Sequence, residues 1–361
     1  MSLVCYIACT VDNSTASQQL GGLTPRDFLR RHWQKRPLFV RDAVPALDAL
    51  ISTRKIAALA ARDDVESRIV RRTASRWRTA HGPFSTLKVE SRNWTVLVSG
   101  LNLHHAPADR LLRRFDFLPL ARVDDVMVSY ATPGGGVGPH TDSYDVFLLQ
   151  GAGRRRWRVW FRGRILEYET APGDLLYLPP GVQHDGVALE PCLTYSVGLR
   201  TPGDAELGAA FLDFLHERGL PDGRYRDPGL RPARRRAELP SQMVRHAEKA
   251  LRRIRWSRSD VQRFLGEYVT LPKAHVVFRA RRGKRALRAS MVRLDAATQL
   301  LYSGRRFFLN GETVMFVGRA ATALRELAEA RSIPGRKLAA AGLGKLASEW
   351  RAAGWVHFER T

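Results

Sequence analysis

The chain has 361 residues, enough for two or three domains with a substantial core. Its 44% hydrophobic and 9% aromatic residues are typical of an ordinary globular protein, and no uninterrupted run of about 18 apolar residues is present, which excludes a helical membrane span. Three cysteines, Cys5, Cys9 and Cys192, are too few for a disulfide framework. This indicates a reducing, cytoplasmic location.

Lysine and arginine outnumber aspartate and glutamate by 59 to 35, which gives a formal net charge of +24. Such a charge is compatible with a nucleic-acid partner or with work near the ribosome, which is a polyanion. Only eight of the basic residues are lysines, however, and the arginines are spread along the whole chain. This distribution also indicates a compositional bias, so composition alone leaves direct nucleic-acid binding open.

In chain order, residues 1–22 are interpreted as an N-terminal extension, because they lack the basic flank and cleavage pattern of a signal peptide. Thr24 and Pro25 then predict a helix start, with Thr24 as the N-cap. Helical and mixed segments follow to about residue 90. From there to about residue 198 the sequence changes to short strands separated by glycine and proline turns. The predicted strands are Trp94–Val98, Asp125–Tyr130, Val146–Leu149, Arg156–Phe161, Asp174–Leu178 and Leu193–Leu199.

Many short strands at this spacing favour a sandwich or barrel, so residues 23–202 are predicted to form one β domain with N-terminal helices. Residues 203–270 are predicted to be a helical region, because apolar residues recur every three or four positions. Its helices are Ala205–Arg218, Pro240–Arg253 and Ser259–Tyr268.

Residues 271–361 combine short strands with helices and predict a winged-helix-like domain. The predicted strands are Gln299–Tyr302, Arg305–Leu309, Thr313–Val317 and Trp355–Phe358, and the helices are Ala320–Ala330 and Arg336–Ala353. The fold class is therefore α+β, with a barrel, a helical region and a winged helix in that order.

Two histidines and one aspartate carry a metal-binding pattern. His140 and Asp142 form an H-x-D pair, and on a strand such residues point to the same side. His184 closes a second run, in which a Pro-Pro-Gly turn follows a predicted strand. Two imidazoles and one carboxylate are the facial triad of non-haem Fe(II) oxygenases. We therefore predict that His140, Asp142 and His184 hold one Fe(II) ion.

The spacing of both runs matches the two cupin motifs. The first motif runs from Gly134 to His140 and the second from Gly173 to His184. In the usual cupin the first motif carries H-x-H, and Asp142 replaces its second histidine, as in oxygenases.

Such iron centres need 2-oxoglutarate, whose distal carboxylate needs a buried cation, and arginine gives the best bidentate match. After Gly153, strand alternation places Arg155 on one face with the apolar Trp157, and Arg154 and Arg156 on the other. A guanidinium unpaired among apolar groups is costly, so Arg155 is predicted to bind the carboxylate. Ser129 and Ser196, on neighbouring strands, are candidate hydroxyl partners.

Together, Pro133–Phe147 and Gly153–Val159 resemble the bacterial JmjC ribosomal oxygenases, and the similarity extends to His32–Pro37, His81–Phe84 and Tyr195–Gly198. The resemblance implies a JmjC double-stranded β-helix, a helical dimerisation region and a C-terminal winged helix. It also implies Fe(II) and 2-oxoglutarate at the residues named above, and hydroxylation at C3 of an arginine in large-subunit ribosomal protein sixteen.

Recognition of a substrate arginine requires acidic or aromatic groups at the mouth of the site. Tyr144, Asp145 and Asp185 are the candidates that the sequence offers. One departure from the family pattern lies between Val159 and Glu169, where the connection is shorter than the resemblance leads us to expect. The rim that faces the substrate is therefore the part of the site that the resemblance specifies least.

Two alternatives remain open. One is a 2-oxoglutarate oxygenase that acts on an RNA base or another protein residue, which the charge and the winged helix would suit. The other is a cupin regulator without enzyme activity that binds DNA through its C-terminal domain. The complete triad with Arg155 argues against the regulator, because a regulator has no need of an oxidant site.

Overall fold

The computed structural model describes residues 13–45, 47, 49–74, 76–280 and 286–360. Cys5, Cys9 and the first part of the predicted extension lie outside these residues. The predicted helix start is confirmed: α2 (Pro25–Arg31) begins after Thr24, whose hydroxyl accepts the backbone N–H of Asp27. The other helices of this N-terminal part are α1 (Asn13–Gln19), α3 (Thr53–Ala60), α4 (Leu101–His104) and α5 (Ala106–Leu112).

Two antiparallel sheets form the centre of this part. The strands are β1 (Leu38–Val40), β2 (Ser67–Arg72), β3 (Trp77–His81), β4 (Trp94–Val98), β5 (Val123–Ala131), β6 (Asp145–Ala152), β7 (Arg155–Phe161), β8 (Arg164–Thr170), β9 (Leu175–Leu178), β10 (Gln183–Ala188) and β11 (Cys192–Leu199). The larger sheet has the order β1-β9-β6-β11-β5-β4-β2-β3, and the smaller has the order β10-β7-β8. Val146 and Leu148 of the larger sheet pack with Trp157 and Val159 of the smaller one. The double-stranded β-helix that the sequence predicted is thus confirmed.

All six predicted strands are present, with ends that differ by up to three residues. The short connection after Val159 is itself a strand, because β7 and β8 form a hairpin that turns at Arg162 and Gly163, both with positive φ. The sequence pattern did not separate β2 and β3, since neither alternates cleanly between apolar and polar residues. Both nevertheless extend the larger sheet beside β4.

Three helices follow, as predicted: α6 (Asp204–Glu217), α7 (Ser241–Leu251) and α8 (Arg258–Thr270). α6 and α8 pack through Phe214 and Phe264. α7 has no buried residue, so its apolar side chains remain exposed in the single chain.

The C-terminal unit has the predicted winged-helix character. Its elements are β12 (Met291–Leu294), β13 (Leu300–Ser303), β14 (Arg306–Leu309), β15 (Glu312–Met315), α9 (Gly318–Ala330), β16 (Ser332–Pro334), α10 (Gly335–Ala340), α11 (Gly344–Ala352) and β17 (Val356–Glu359). The single helix predicted over Arg336–Ala353 is wrong. Gly342, with a φ of +77°, separates α10 from α11, because a left-handed residue ends a helix.

Candidate metal centre and co-substrate cavity

The three predicted metal ligands lie together. His140 Nε2 is 3.9 Å from Asp142 Oδ1, and His184 Nε2 is 3.7 Å from Asp142 Oδ2. One ligand atom from each residue lies within 4.8 Å of the other two. Within the described part of the chain, no other three His, Cys, Asp or Glu side chains are arranged this way. The geometry therefore brings together the set that the sequence predicted.

Each histidine is oriented by a hydrogen bond on the far side of its ring. His140 Nδ1 is 2.9 Å from the carbonyl oxygen of Gly138, and His184 Nδ1 is 3.0 Å from that of Val182. Because a carbonyl oxygen can only accept, each Nδ1 carries the proton and each Nε2 presents a lone pair. Burial lowers the pKa of His184 below its ordinary value, which favours the neutral imidazole that metal binding requires.

The expectation that His140 and Asp142 share one face of a strand is wrong. The segment between β5 and β6 is irregular, and His140 pairs only as an isolated bridge to His184. Each of these two backbones donates its N–H to the other's carbonyl, at 3.0 and 2.9 Å. Asp142 is held through its own carbonyl, which accepts the N–H of Gly181 at 2.8 Å. The loop therefore docks on the Pro-Pro-Gly turn, and this contact brings the three ligands together.

Arg155 lies on the buried face of β7, as strand alternation predicted, and is 3% exposed. Its Nη2 donates to Ser129 Oγ at 3.4 Å, its Nη1 lies 3.5 Å from the carbonyl oxygen of Gly186, and its guanidinium lies 5.6 Å from the ring centroid of Trp157. In the described residues no carboxylate pairs with Arg155, and its Nε has no hydrogen-bond partner. A buried guanidinium without a counter-charge is costly, so this site is suited to binding an anion.

Arg155 and the metal ligands line one cavity of about 320 Å³. Ser129 and Ser196 line it too, as do Thr95 and Thr194, which the sequence argument missed. Thr194 and Ser196 stand two residues apart on β11, so strand alternation contained the signal for Thr194. Thr95 is fully buried, and its hydroxyl has no partner among the described residues.

Tyr144 also lines the cavity and is 37% exposed. Burial, together with the nearby charge of Asp142, raises the pKa of Tyr144 to about 12, so its hydroxyl stays protonated and can donate a hydrogen bond. Asp125 of β5 lies near Tyr144, and both residues flank Gly198. A Cβ atom added to Gly198 would lie within 4 Å of Asp125 Oδ1 and of the Tyr144 ring. No sequence pattern marks Asp125 as a site residue.

The structure does not place Asp145 and Asp185 in the cavity. Asp145 is fully buried and accepts hydrogen bonds from Tyr177, Arg122 and Gln34, at 2.6, 3.0 and 3.0 Å. Asp185 is 4% exposed and lies beside Arg158, at 3.4 Å. Asp145 is therefore a structural carboxylate, and its predicted contact with substrate is wrong. Neither position carried a sequence signal that separates a buried carboxylate from one at a rim.

A larger cavity, of about 700 Å³, lies between the β structure and the C-terminal unit. Phe117 and Asp124 line one side of it, and Tyr302 and Arg331 line the other. None of the metal ligands and no part of Arg155 contributes to it, so the chemistry belongs to the smaller cavity.

Comparison with known proteins agrees with this geometry. Residues 110–171 and 161–207 match the JmjC domain family, and residues 253–356 match the ROXA-like winged helix. The chain is 40% identical over 264 residues to the ribosomal protein uL16 3-hydroxylase of Escherichia coli K12, which covers 68% of this chain and 70% of that protein. This chain belongs to the JmjC-domain ribosomal oxygenases. A probable ribosomal oxygenase of Haemophilus influenzae is 37% identical over 208 residues, covering 51% and 52% of the two chains.

Solved structures of a ribosomal oxygenase extend the comparison to the whole fold. The E. coli ribosomal oxygenase YcfD matches with a TM-score of 0.80 at 32% identity, over 93% of this chain and 98% of that one. YcfD in complex with cobalt and 2-oxoglutarate matches equally well, with a TM-score of 0.80 at 31% identity and the same coverage. No helix in the described residues of this ribosomal oxygenase is long and apolar enough to cross a membrane.

Proposed function

We propose that this chain is an Fe(II)- and 2-oxoglutarate-dependent hydroxylase that adds a hydroxyl group at C3 of an arginine in ribosomal protein uL16. The observation that carries the proposal is a single cavity that joins a two-histidine, one-carboxylate cluster to a buried guanidinium without a counter-charge. The similar E. coli protein is named for hydroxylation of uL16, and YcfD has been solved with 2-oxoglutarate.

The metal would be held by His140, Asp142 and His184. Two neutral imidazoles with one carboxylate fit Fe(II) and leave one face of the ion open. When bound there, iron supplies dioxygen activation for oxidation of a C–H bond, coupled to conversion of 2-oxoglutarate to succinate and CO₂. The chain contributes orientation, because the carbonyls of Gly138 and Val182 fix the tautomer of each histidine.

Arg155 would bind the distal carboxylate of 2-oxoglutarate, with Ser129 and Ser196 as hydroxyl partners. Because Arg155 is buried without a counter-charge, the cavity favours an anionic ligand, which supplies that counter-charge. Val146, Leu148 and Trp157 supply apolar walls to the same cavity. The co-substrate is thereby oriented with one end at Arg155 and the other toward the metal ligands.

The substrate arginine would enter past Tyr144. A phenol that remains protonated can donate a hydrogen bond to a peptide carbonyl, and its ring can pack on a planar guanidinium. The nearby Asp124 and Asp125 add no free negative charge here, because Lys273 lies 3.0 and 3.4 Å from them and Arg200 lies 3.3 Å from Asp124. Recognition of the arginine on this side of the mouth would therefore rest on the ring and hydroxyl of Tyr144.

We further propose that two copies of the chain form a homodimer through the helical region, residues 203–270. This region lies in the sequence between the oxygenase part, residues 23–202, and the winged helix, residues 271–361. α7 supports this, because Met243, Val244 and Leu251 are 45, 41 and 67% exposed. An apolar helix face with no buried residue favours burial against a second copy. Since the proposed substrate is ribosomal, the enzyme would work in the cytoplasm.

Mass spectrometry of ribosomal proteins from cells with and without this gene tests the proposal. We expect uL16 from wild-type cells to carry one extra oxygen on an arginine, and uL16 from deletion cells to lack it. Complementation with the His140→Ala variant is the control and should leave uL16 unmodified. Unmodified uL16 in wild-type cells would overturn the substrate assignment.

A further inference from the structure

A segment of forty residues carries a charge that the oxygenase site does not use. Residues 219–258, which we call the basic segment, contain twelve arginine and lysine residues against four aspartate and glutamate residues. This is one net positive charge per five residues, whereas the remaining 321 residues carry about one per twenty. A uniform arginine bias would spread the charge evenly, whereas the basic segment is one of two concentrations; the other is residues 273–293, with eight arginine and lysine residues and no acidic residue.

The charges of the basic segment are exposed and uncompensated. All twelve cationic residues are exposed, and no ion pair of the described residues includes any of them. The nearest ion pairs along the chain, Arg218–Asp260 and Arg263–Glu267, involve flanking residues. In the oxygenase part, by contrast, arginines such as Arg41 have carboxylate partners. Unneutralised cations concentrated in one segment are the electrostatic pattern of a surface that binds a polyanion.

Helix α7 separates this charge from the proposed dimer interface. Its apolar residues Met243, Ala247 and Leu251 recur every four residues and share one face. Arg245, Lys249 and the C-cap residue Arg252 recur at four and three residues and lie on the opposite face. A second copy can therefore cover the apolar face while the basic face stays open to another partner.

We propose that the basic segment binds the phosphate backbone of RNA. Spaced guanidinium and ammonium groups displace condensed counterions from phosphates, which supplies affinity without base readout. Trp256 is 58% exposed between Arg255 and Arg258 and packs edge to face with Phe211, with ring centroids 5.7 Å apart. The exposed part of the indole is a stacking surface for unpaired bases. The choice of RNA over DNA rests on the proposed function, because a ribosomal substrate brings the enzyme beside RNA.

The test measures binding of a fluorescent 20-nucleotide single-stranded RNA to the full chain by anisotropy, over a range of salt concentrations. DNA of the same sequence and vesicles of anionic phospholipid are compared under the same conditions. Two charge-neutralised variants probe the segment: Arg234→Gln/Arg235→Gln/Arg236→Gln and Arg245→Gln/Lys249→Gln/Arg252→Gln. The matched control removes three exposed charges from the winged helix instead: Arg305→Gln/Arg319→Gln/Arg336→Gln.

We expect each segment variant to weaken RNA binding at least tenfold. The slope of log Kd against log salt should fall by about two, because three phosphates are no longer neutralised and each accounts for roughly 0.7 of the slope. The winged-helix control should change neither quantity. Equal weakening by the control would overturn the location, and preference for vesicles or DNA over RNA would overturn the partner.

Decarboxylation of 2-oxoglutarate and the dimer mass are measured on the same samples. Turnover should be unchanged in all three variants, because none of the substituted residues lines the metal cavity. The dimer mass should be unchanged in the α7 variant, because its three substituted residues lie opposite the apolar face. Loss of RNA binding with normal turnover in the segment variants supports the RNA-binding surface, independently of the proposed hydroxylation. Normal RNA binding without turnover on any ribosomal protein would instead contradict the proposed function and leave the RNA surface standing.

Discussion

Gly138 and Trp77 are in close contact: a Cβ atom added to Gly138 would lie 2.7 Å from Trp77 Nε1. Gly138 also has a φ of +84°, and its carbonyl oxygen accepts the Nδ1–H of His140 at 2.9 Å. A glycine is therefore required at this position for two reasons: its positive φ, and the indole of Trp77, which leaves no room for a Cβ atom. Through this contact, strand β3 supports the loop that carries the first two metal ligands.

Gly138→Ala should weaken metal binding by about 10- to 100-fold, because it moves the carbonyl that orients His140. Gly163→Ala is the matched control. Gly163 also has a positive φ, of +74°, but a Cβ there would meet no heavy atom within 4 Å. Titration with Mn(II), followed by calorimetry, measures both. Equal losses in the two variants would mean that backbone strain alone, and not contact with Trp77, decides the effect.

Arg155→Ala should raise the Kd for 2-oxoglutarate at least about tenfold, since it removes a charge-assisted pair worth roughly 1.5–3 kcal/mol. Arg156→Ala is the control, because Arg156 is the next residue on the same strand and lies on its exposed face. Calorimetry on protein loaded with Mn(II) gives the constants without turnover. Comparable effects at both positions would contradict the assignment of Arg155 to the co-substrate.

Asp145→Ala should lower the free energy of unfolding by about 1–3 kcal/mol, because the buried Tyr177 loses its acceptor and the partly exposed Arg122 loses its ion-pair partner. Urea denaturation measures this loss. Tyr144→Phe is the comparison and should change stability little while it raises KM for a uL16 peptide. A stable Asp145→Ala protein with a raised KM would restore Asp145 to the substrate site.

Replacing two apolar residues of α7 by charge, Met243→Glu with Leu251→Glu, should convert the proposed dimer to a monomer. The two carboxylates would be buried without partners at the interface, which costs several kcal/mol. Light scattering at micromolar protein concentration gives the mass. Arg245→Glu, on the opposite face of the helix, should leave the dimer intact, and a monomeric wild-type protein would contradict the interface altogether.

Much of this fold could be predicted from the sequence, because strand alternation and turn residues are local signals. Strand alternation predicted that the Arg155 side chain is buried, and the Pro-Pro-Gly turn predicted where the strand before His184 ends. The relative position of His140 and Asp142 could not be predicted in this way. It depends on a backbone hydrogen bond between Asp142 and Gly181, about forty residues apart, which no local pattern encodes. Asp145 shows the same limit, because its three donors, Tyr177, Arg122 and Gln34, come from distant parts of the chain.

Mass spectrometry of a reconstituted reaction tests whether this enzyme hydroxylates an arginine of uL16. A uL16 peptide that contains the target arginine is incubated with enzyme, Fe(II), 2-oxoglutarate and oxygen. We predict a gain of about 16 Da, the mass of one oxygen atom, on that arginine. The His140→Ala enzyme and an Arg→Lys peptide should both give little product. An unmodified peptide and unmodified intact uL16, with 2-oxoglutarate still consumed, would contradict the claim.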